Sequence, residues 1–184
     1  MNNFLSLFLL VFLSCGSASS IHSEKEINTS AEVNRAEQQG MLLGKVERKD
    51  LEEEPYASWF NQGYEDYKPG EEAVETIEDN ISDYKIKVIF GTWCPDSRRE
   101  VPKIFKLLDE ADYDMDDLSL IAVDRRKSTP DNLEEGLNVK RVPTVIFYKN
   151  GEEVNRFVEY PQESLEEDIA KIVSEEEYTN PYAK

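Results

Sequence analysis

Lys87-Val88-Ile89-Phe90-Gly91-Thr92-Trp93-Cys94-Pro95-Asp96-Ser97-Arg98-Arg99-Glu100-Val101-Pro102 joins a β-branched apolar run to a thiol and then to a proline. The pattern predicts a strand buried on both faces over 86–90, followed by a helix that starts at the cysteine. A sulfur on the first turn of a helix meets unpaired backbone N–H groups and the positive end of the helix dipole. Both favour S⁻ over SH. Pro95 suits the first helical turn, where its missing N–H costs nothing, and Pro102 is expected to kink the helix from inside.

Upstream of this stretch, Pro69-Gly70 marks a turn, and Ala73, Val74 and Ile77 give a helical stripe running to about residue 82. Downstream, Val101, Ile104, Phe105 and Leu108 recur at helical spacing. Residues 118–124 read as a second buried strand. Thr129-Pro130 then opens a short helix, with Thr129 as its cap and Gly136 as its terminator. Val142-Pro143-Thr144 leads into a strand over 145–148, Asn150-Gly151 is a hairpin turn, and 154–158 pairs back antiparallel. Leu165, Ile169, Ile172 and Val173 mark a last amphipathic helix, and the acidic tail after it is expected to fray. The order β-α-β-α-β-β-α is an α/β arrangement, a parallel half joined to an antiparallel half.

Trp93-Cys94-Pro95-Asp96-Ser97 resembles the Trp-Cys-x-x-Cys site of the thioredoxin family, with Ser97 in place of the second cysteine. Pro102 matches the family's kinking proline, eight residues after the nucleophile. Val142-Pro143-Thr144 is a second family signature in the right order. The resemblance implies the thioredoxin fold, a central mixed sheet with helices on both faces, plus an N-terminal extension. It implies Cys94 as the catalytic nucleophile in an active-site loop of Trp93, Pro95, Asp96 and Ser97. It also implies that Pro143 is a cis-proline facing the thiol and that the backbone of Val142 pairs with a substrate strand; a cis peptide is readily accessible only before proline. An ordinary trans proline at a strand start is the plainer alternative.

The departures from the family are chemical. A dithiol site resolves its own mixed disulfide with the second cysteine. Ser97 forms no S–S bond, and Val88 stands where the family keeps a buried carboxylate to move the resolving proton. The pair of losses suits a monothiol thiol–disulfide oxidoreductase, in which Cys94 forms mixed disulfides that an external thiol resolves. Two alternatives stay open: a non-catalytic client-binding module, and a peroxide-reactive thiol. Ser97 is expected to donate a hydrogen bond to a Cys94 thiolate, with Asp96 opposing it as a like charge. Arg98, Arg99, Arg125, Arg126 and Arg141 fall at the same sheet edge. They would form a basic rim that stabilises the thiolate and favours an acidic thiol tripeptide or acidic peptides, unless they pair with surface carboxylates instead.

The chain has 184 residues and a formal net charge of −18, which speaks against nucleic acid as a partner. Residues 4–13 are apolar, too short to span a bilayer, and read as part of a signal peptide over 1–18. Phe12-Leu13-Ser14-Cys15 resembles a bacterial lipoprotein box. Cleavage before Cys15, lipidation of that cysteine and a membrane-anchored, periplasm-facing domain are expected. Cleavage after Ala18 would give a soluble periplasmic protein instead. Residues 19–40 read as a flexible tether, in which the lone His22 is a spectator. Residues 41–70 read as an extension packed on the domain, with a short edge strand and a helix capped by Asp50 through Tyr56, Trp59 and Phe60. The thioredoxin-like domain is expected over 71–174 and an acidic tail over 175–184. Cys15 and Cys94 are the chain's two cysteines, so processing at Cys15 leaves no internal disulfide. No metal or cofactor is expected. The expected partners are cysteine-containing clients or a low-molecular-weight thiol, the expected membrane contact is through the lipid alone, and the expected state is a monomer.

Overall fold

β2 (Tyr84–Phe90) runs between β3 (Leu118–Ala122), to which it is parallel, and β4 (Thr144–Lys149), to which it is antiparallel. The computed structural model describes residues 40–183. The expected signal peptide, the tether with His22, and Cys15 lie outside the described residues. β1 (Gly44–Val46) and β5 (Glu152–Val158) complete a mixed five-stranded sheet in the order β1-β3-β2-β4-β5. The β4–β5 turn is Asn150-Gly151, both at positive φ, which is the backbone that a two-residue hairpin turn needs.

The side chains of β2 alternate, as a period-two strand requires. Tyr84, Ile86, Val88 and Phe90 share a core with Leu120 and Ala122 of β3, Val145 and Phe147 of β4, and Phe157 of β5. Four helices supply the other half of that core: α2 (Ala57–Asp66), α3 (Glu71–Ile81), α4 (Pro95–Glu110) and α5 (Leu165–Val173). α1 (Arg48–Leu51) adds Leu51. Burying each large side chain here stabilises the fold by roughly 1.5–3 kcal/mol. The rings of Phe60 and Phe105 meet edge to face at 5.3 Å. α2 approaches α4 at Gly63, where a Cβ would stand 2.6 Å from Cγ of Pro102, so glycine is needed for that packing.

Ile89, Ile121 and Ile146 point to the opposite face and form a smaller cluster with Cys94, Val123 and Val142. The expected helix from Thr129 is not formed; residues 123–143 cover this face as a succession of turns. Thr129 Oγ1 does accept from the Leu133 N–H at 2.8 Å, but it also donates to Glu134 Oε2 at 2.6 Å. Asn132, Gly136 and Asn138 all sit at positive φ, which no right-handed helix accommodates. Asp124 accepts from the N–H groups of Arg126 and Ser128 and holds the first turn.

Within residues 41–70, β1 is the short edge strand expected there, antiparallel to β3. Two further expectations are corrected. Asp50 does not cap the aromatic helix; it closes α1, accepting from the Glu47 N–H at 2.8 Å, and α2 starts separately at Ala57. The C-terminal tail is docked rather than frayed. Tyr178 packs on the core, its phenol donates to Asp168 and its carbonyl accepts from Asn155. Thr179 accepts from Gln162, and Tyr182 donates to Glu159.

Candidate functional site

β2 ends at Phe90, and four residues turn the chain into α4. Cys94 is the N-cap, with extended backbone (φ −88, ψ 124), and Pro95 follows in the first turn. The turn is tied by the Cys94 N–H to the Gly91 carbonyl at 2.9 Å and by the Arg98 N–H to the Cys94 carbonyl at 3.0 Å. A Cβ on Gly91 would stand 2.6 Å from the Trp93 indole, so the ring can approach this position because it is glycine. The indole Nε1–H donates to the Val123 carbonyl at 2.8 Å and fastens the turn to the end of β3.

Val142–Pro143 is a cis peptide, and the Cys94 thiol donates to the Val142 carbonyl at 3.3 Å. The two sequence signatures, far apart along the chain, therefore meet at the sulfur. The Thr144 hydroxyl donates to the Arg141 carbonyl at 2.7 Å, and the Glu159 N–H donates to the Pro143 carbonyl at 2.8 Å. These bonds hold the proline loop from both ends. The sulfur is less open than the resemblance suggests, since Cys94 is only 7 % exposed. Ile89, Ile121, Val123, Val142 and Ile146 surround it on the inner side.

Ser97 differs from its expected role. It is wholly buried, and its Oγ accepts from the Gly91 N–H at 3.2 Å. The hydroxyl braces the turn from inside the helix and makes no hydrogen bond to the Cys94 sulfur. Asp96 pairs with Arg99 at 2.8 Å. Val88, at the position of the family's buried carboxylate, is a fully buried core residue.

The five arginines separate into two kinds. Arg98 donates through Nε to the Thr92 carbonyl at 2.5 Å; Arg99 bonds Asp96 and Glu100; Arg126 bonds Asp124. Those three are consumed locally. Arg125 instead lies over the Trp93 ring at 5.2 Å, and Arg141 lies over the Tyr182 ring at 5.3 Å. Arg141 also has Glu159 at 3.8 Å, beyond hydrogen-bonding range. Among the described residues none of the five hydrogen-bonds to the sulfur.

Residues that the sequence reading did not single out complete the surroundings. The Thr92 hydroxyl accepts from the Leu42 N–H at 3.3 Å, which ties the segment before β1 to the active-site turn. Burial pushes the Tyr56 phenol up, opposed by its hydrogen bond to Thr92 and the charge of Arg98. Tyr182 stands edge to face with Tyr160 at 6.4 Å, and the Glu159 carboxylate that accepts from its phenol pushes it up to about 12. Nothing in the local pattern at Tyr182 signals a site; only docking of the tail brings it to the proline loop.

A family model described as Thioredoxin matches residues 47–173. A search of curated proteins finds no match. Among solved structures, the chain is similar to an HIV epitope scaffold at 17 % identity, over 66 % of this chain and 83 % of that one, with a TM-score of 0.48. It is similar to thioredoxin O2 from Arabidopsis thaliana in the oxidised state at 26 % identity, over 47 % and 71 % of the two chains, TM-score 0.32. A point-mutant thioredoxin from Halobacterium salinarum aligns at 18 % identity, over 62 % and 90 %, TM-score 0.36.

Proposed function

The chain belongs to the thioredoxin family, and on that premise we propose that it is a monothiol thiol–disulfide oxidoreductase with Cys94 as its one redox centre. The observation that carries this reading is the pairing of Cys94 Sγ with the Val142 carbonyl at 3.3 Å, while the serine one turn on is locked to Gly91. The Cys94 thiolate attacks a client disulfide, one S–S bond forms as another breaks, and the client's leaving sulfur takes the electron pair and a proton. Ser97 has no sulfur to displace the client, so an external thiol attacks the mixed disulfide and returns Cys94 to its reduced form. Lipidation at Cys15, which would hold the domain at a membrane facing the periplasm, belongs to the same proposal, as do its cysteine-containing clients.

A disulfide-reduction assay on the Cys15→Ser chain tests the reading. Turnover is expected only when a small thiol is present, and Cys94→Ser should abolish it. The Ser97→Cys variant should release the reduced client once per chain without the small thiol, its own two cysteines taking up the disulfide, and should turn over faster than the parent when a thiol re-reduces it; a folded variant with neither gain would show that resolution is not the missing step. The low exposure of Cys94 favours a second reading, a client-binding module without turnover. Client binding that survives Cys94→Ser, with no turnover in the parent, would select it.

A further inference from the structure

We infer that Arg125, held over Trp93, and Arg141, held over Tyr182, form two carboxylate brackets that select a client peptide with acidic side chains on both sides of its cysteine. This deepens the proposed function and rests on it. A cation–π contact holds a guanidinium by its charge and leaves N–H donors for a carboxylate. Arg125 has no ion pair among the described residues, and Arg141 has only Glu159 at 3.8 Å. Its side chain is 54 % exposed, so the donors are accessible. The ring contacts restrict both side chains before a client arrives, which lowers the ordering cost of recognition.

The placement matches a strand laid across the sheet end. Trp93 directly precedes Cys94, and Arg141 directly precedes Val142, whose carbonyl meets the sulfur. Trp93 is fastened to the β3 side through Val123, whereas Tyr182 and Glu159 stand on the β5 side. β2 and β4 lie between β3 and β5, so three strand spacings, roughly 14 Å, separate the sides. An extended peptide with its cysteine at Cys94 covers that distance with side chains two positions to either side, at about 3.3 Å per residue. On a chain of net charge −18, two arginines kept clear of close ion pairs beside the thiol are a local exception that favours anionic clients. Tyr182 lies outside the family-matching residues 47–173, so the Arg141 bracket depends on the docked tail, whereas Arg125 and Trp93 lie within the matched domain.

The test uses the Cys15→Ser chain and heptapeptides activated as 2-thiopyridyl disulfides, with the central cysteine flanked on both sides by Glu, Gln or Lys. Cys94 attacks the peptide sulfur, the new S–S bond forms, and pyridine-2-thione leaves with the electron pair and a proton, read by its absorbance. The Glu peptide is expected to react about tenfold faster than the Gln peptide at low salt, with the ratio shrinking as salt rises. Arg125→Gln and Arg141→Gln should each cut the Glu/Gln ratio about threefold and the double variant should bring it to about one. Tyr182→Ala should act like Arg141→Gln, while Tyr182→Phe, which keeps the ring, should retain the ratio. Lys85→Gln, at the other end of β2, serves as the charge control and should leave the ratio alone. A ratio near one in the parent, an unaltered ratio in the double variant, or faster reaction of the activated acidic thiol tripeptide than of the Glu peptide would each overturn the inference. Binding of the unactivated Glu and Gln peptides to the Cys94→Ser chain separates recognition from chemistry. A Glu preference there with no thiol reaction in the parent refutes the redox reading alone, and no preference refutes the brackets.

Discussion

On one face of the sheet, Tyr84, Ile86, Val88 and Phe90 of β2 are sealed under four helices; on the other, Ile89 lies beneath a run of turns and beside a thiol. The same strand supplies both faces, and its alternation divides the work. The helical face is large, aromatic and bound through interlocked helices, with Gly63 admitting Pro102 and Phe60 meeting Phe105. The site face is a small cluster, closed by residues 123–143, which hold together through Asp124, Thr129 and Glu134 rather than a helix. Stability is therefore concentrated on one side and chemistry on the other, within the thickness of one sheet.

Four changes would break or sharpen this contrast. The largest expected effect is on the site face: Cys94→Ser should reduce turnover to background. Its stability should change by no more than about 1 kcal/mol, because a serine hydroxyl donates to the Val142 carbonyl in place of the thiol. Paired turnover and urea-unfolding measurements check both halves. On the helical face, Phe105→Ala should cost about 3–5 kcal/mol of stability from lost burial and the cavity left behind. The fraction that remains folded should turn over normally, as a rate per folded molecule would show. Ile146→Ala should cost less, about 2 kcal/mol, because the turns above it can settle into the space. It should also speed alkylation of Cys94, whose low exposure depends on the same cluster.

The smallest effect is a response to acid. Burial works against ionisation of Asp124, but hydrogen bonds from Ser128 and Arg126 outweigh it and hold the carboxyl below its ordinary value. Glu134 is lowered in the same way, burial being outweighed by its bonds from Thr129. A depressed folded pKa contributes stability that is whole above the ordinary carboxylate range, near 4, and is lost as pH falls through the folded values. Hydrogen exchange, corrected for intrinsic rates, should show residues 124–139 loosening as pH falls below the ordinary carboxylate range while α4 stays protected. Equal loss of protection in α4 would deny that the two faces are separately held.

Much of the site was legible because its determinants are local. A β-branched run, a cysteine and a proline specify strand, N-cap and first turn without outside help, and Asn150-Gly151 specifies its hairpin. The cis-proline was legible through the family resemblance, and its meeting with Cys94 followed from the strand order. What escaped depends on contacts between distant segments. Thr129 looks like a cap, and its hydroxyl does accept from Leu133, but the left-handed backbone at Asn132 interrupts the segment before Gly136 and no helix forms. Ser97 looks like a partner for the thiolate, yet its buried oxygen accepts from the N–H of Gly91, six residues earlier, and braces the turn instead. Ser, Glu, Tyr, Asn and Pro in the tail suggest fraying, and only Asp168, Asn155 and Glu159 show where its tyrosines and backbone are held.

The most direct test is the intact mass of the Cys15→Ser chain after brief mixing with a cysteine peptide disulfide. The expected result is a one-to-one adduct on Cys94 that persists in the absence of free thiol and disappears when a small thiol is added. No adduct, or an adduct that releases its peptide without an added thiol, would contradict a solitary sulfur that depends on outside resolution.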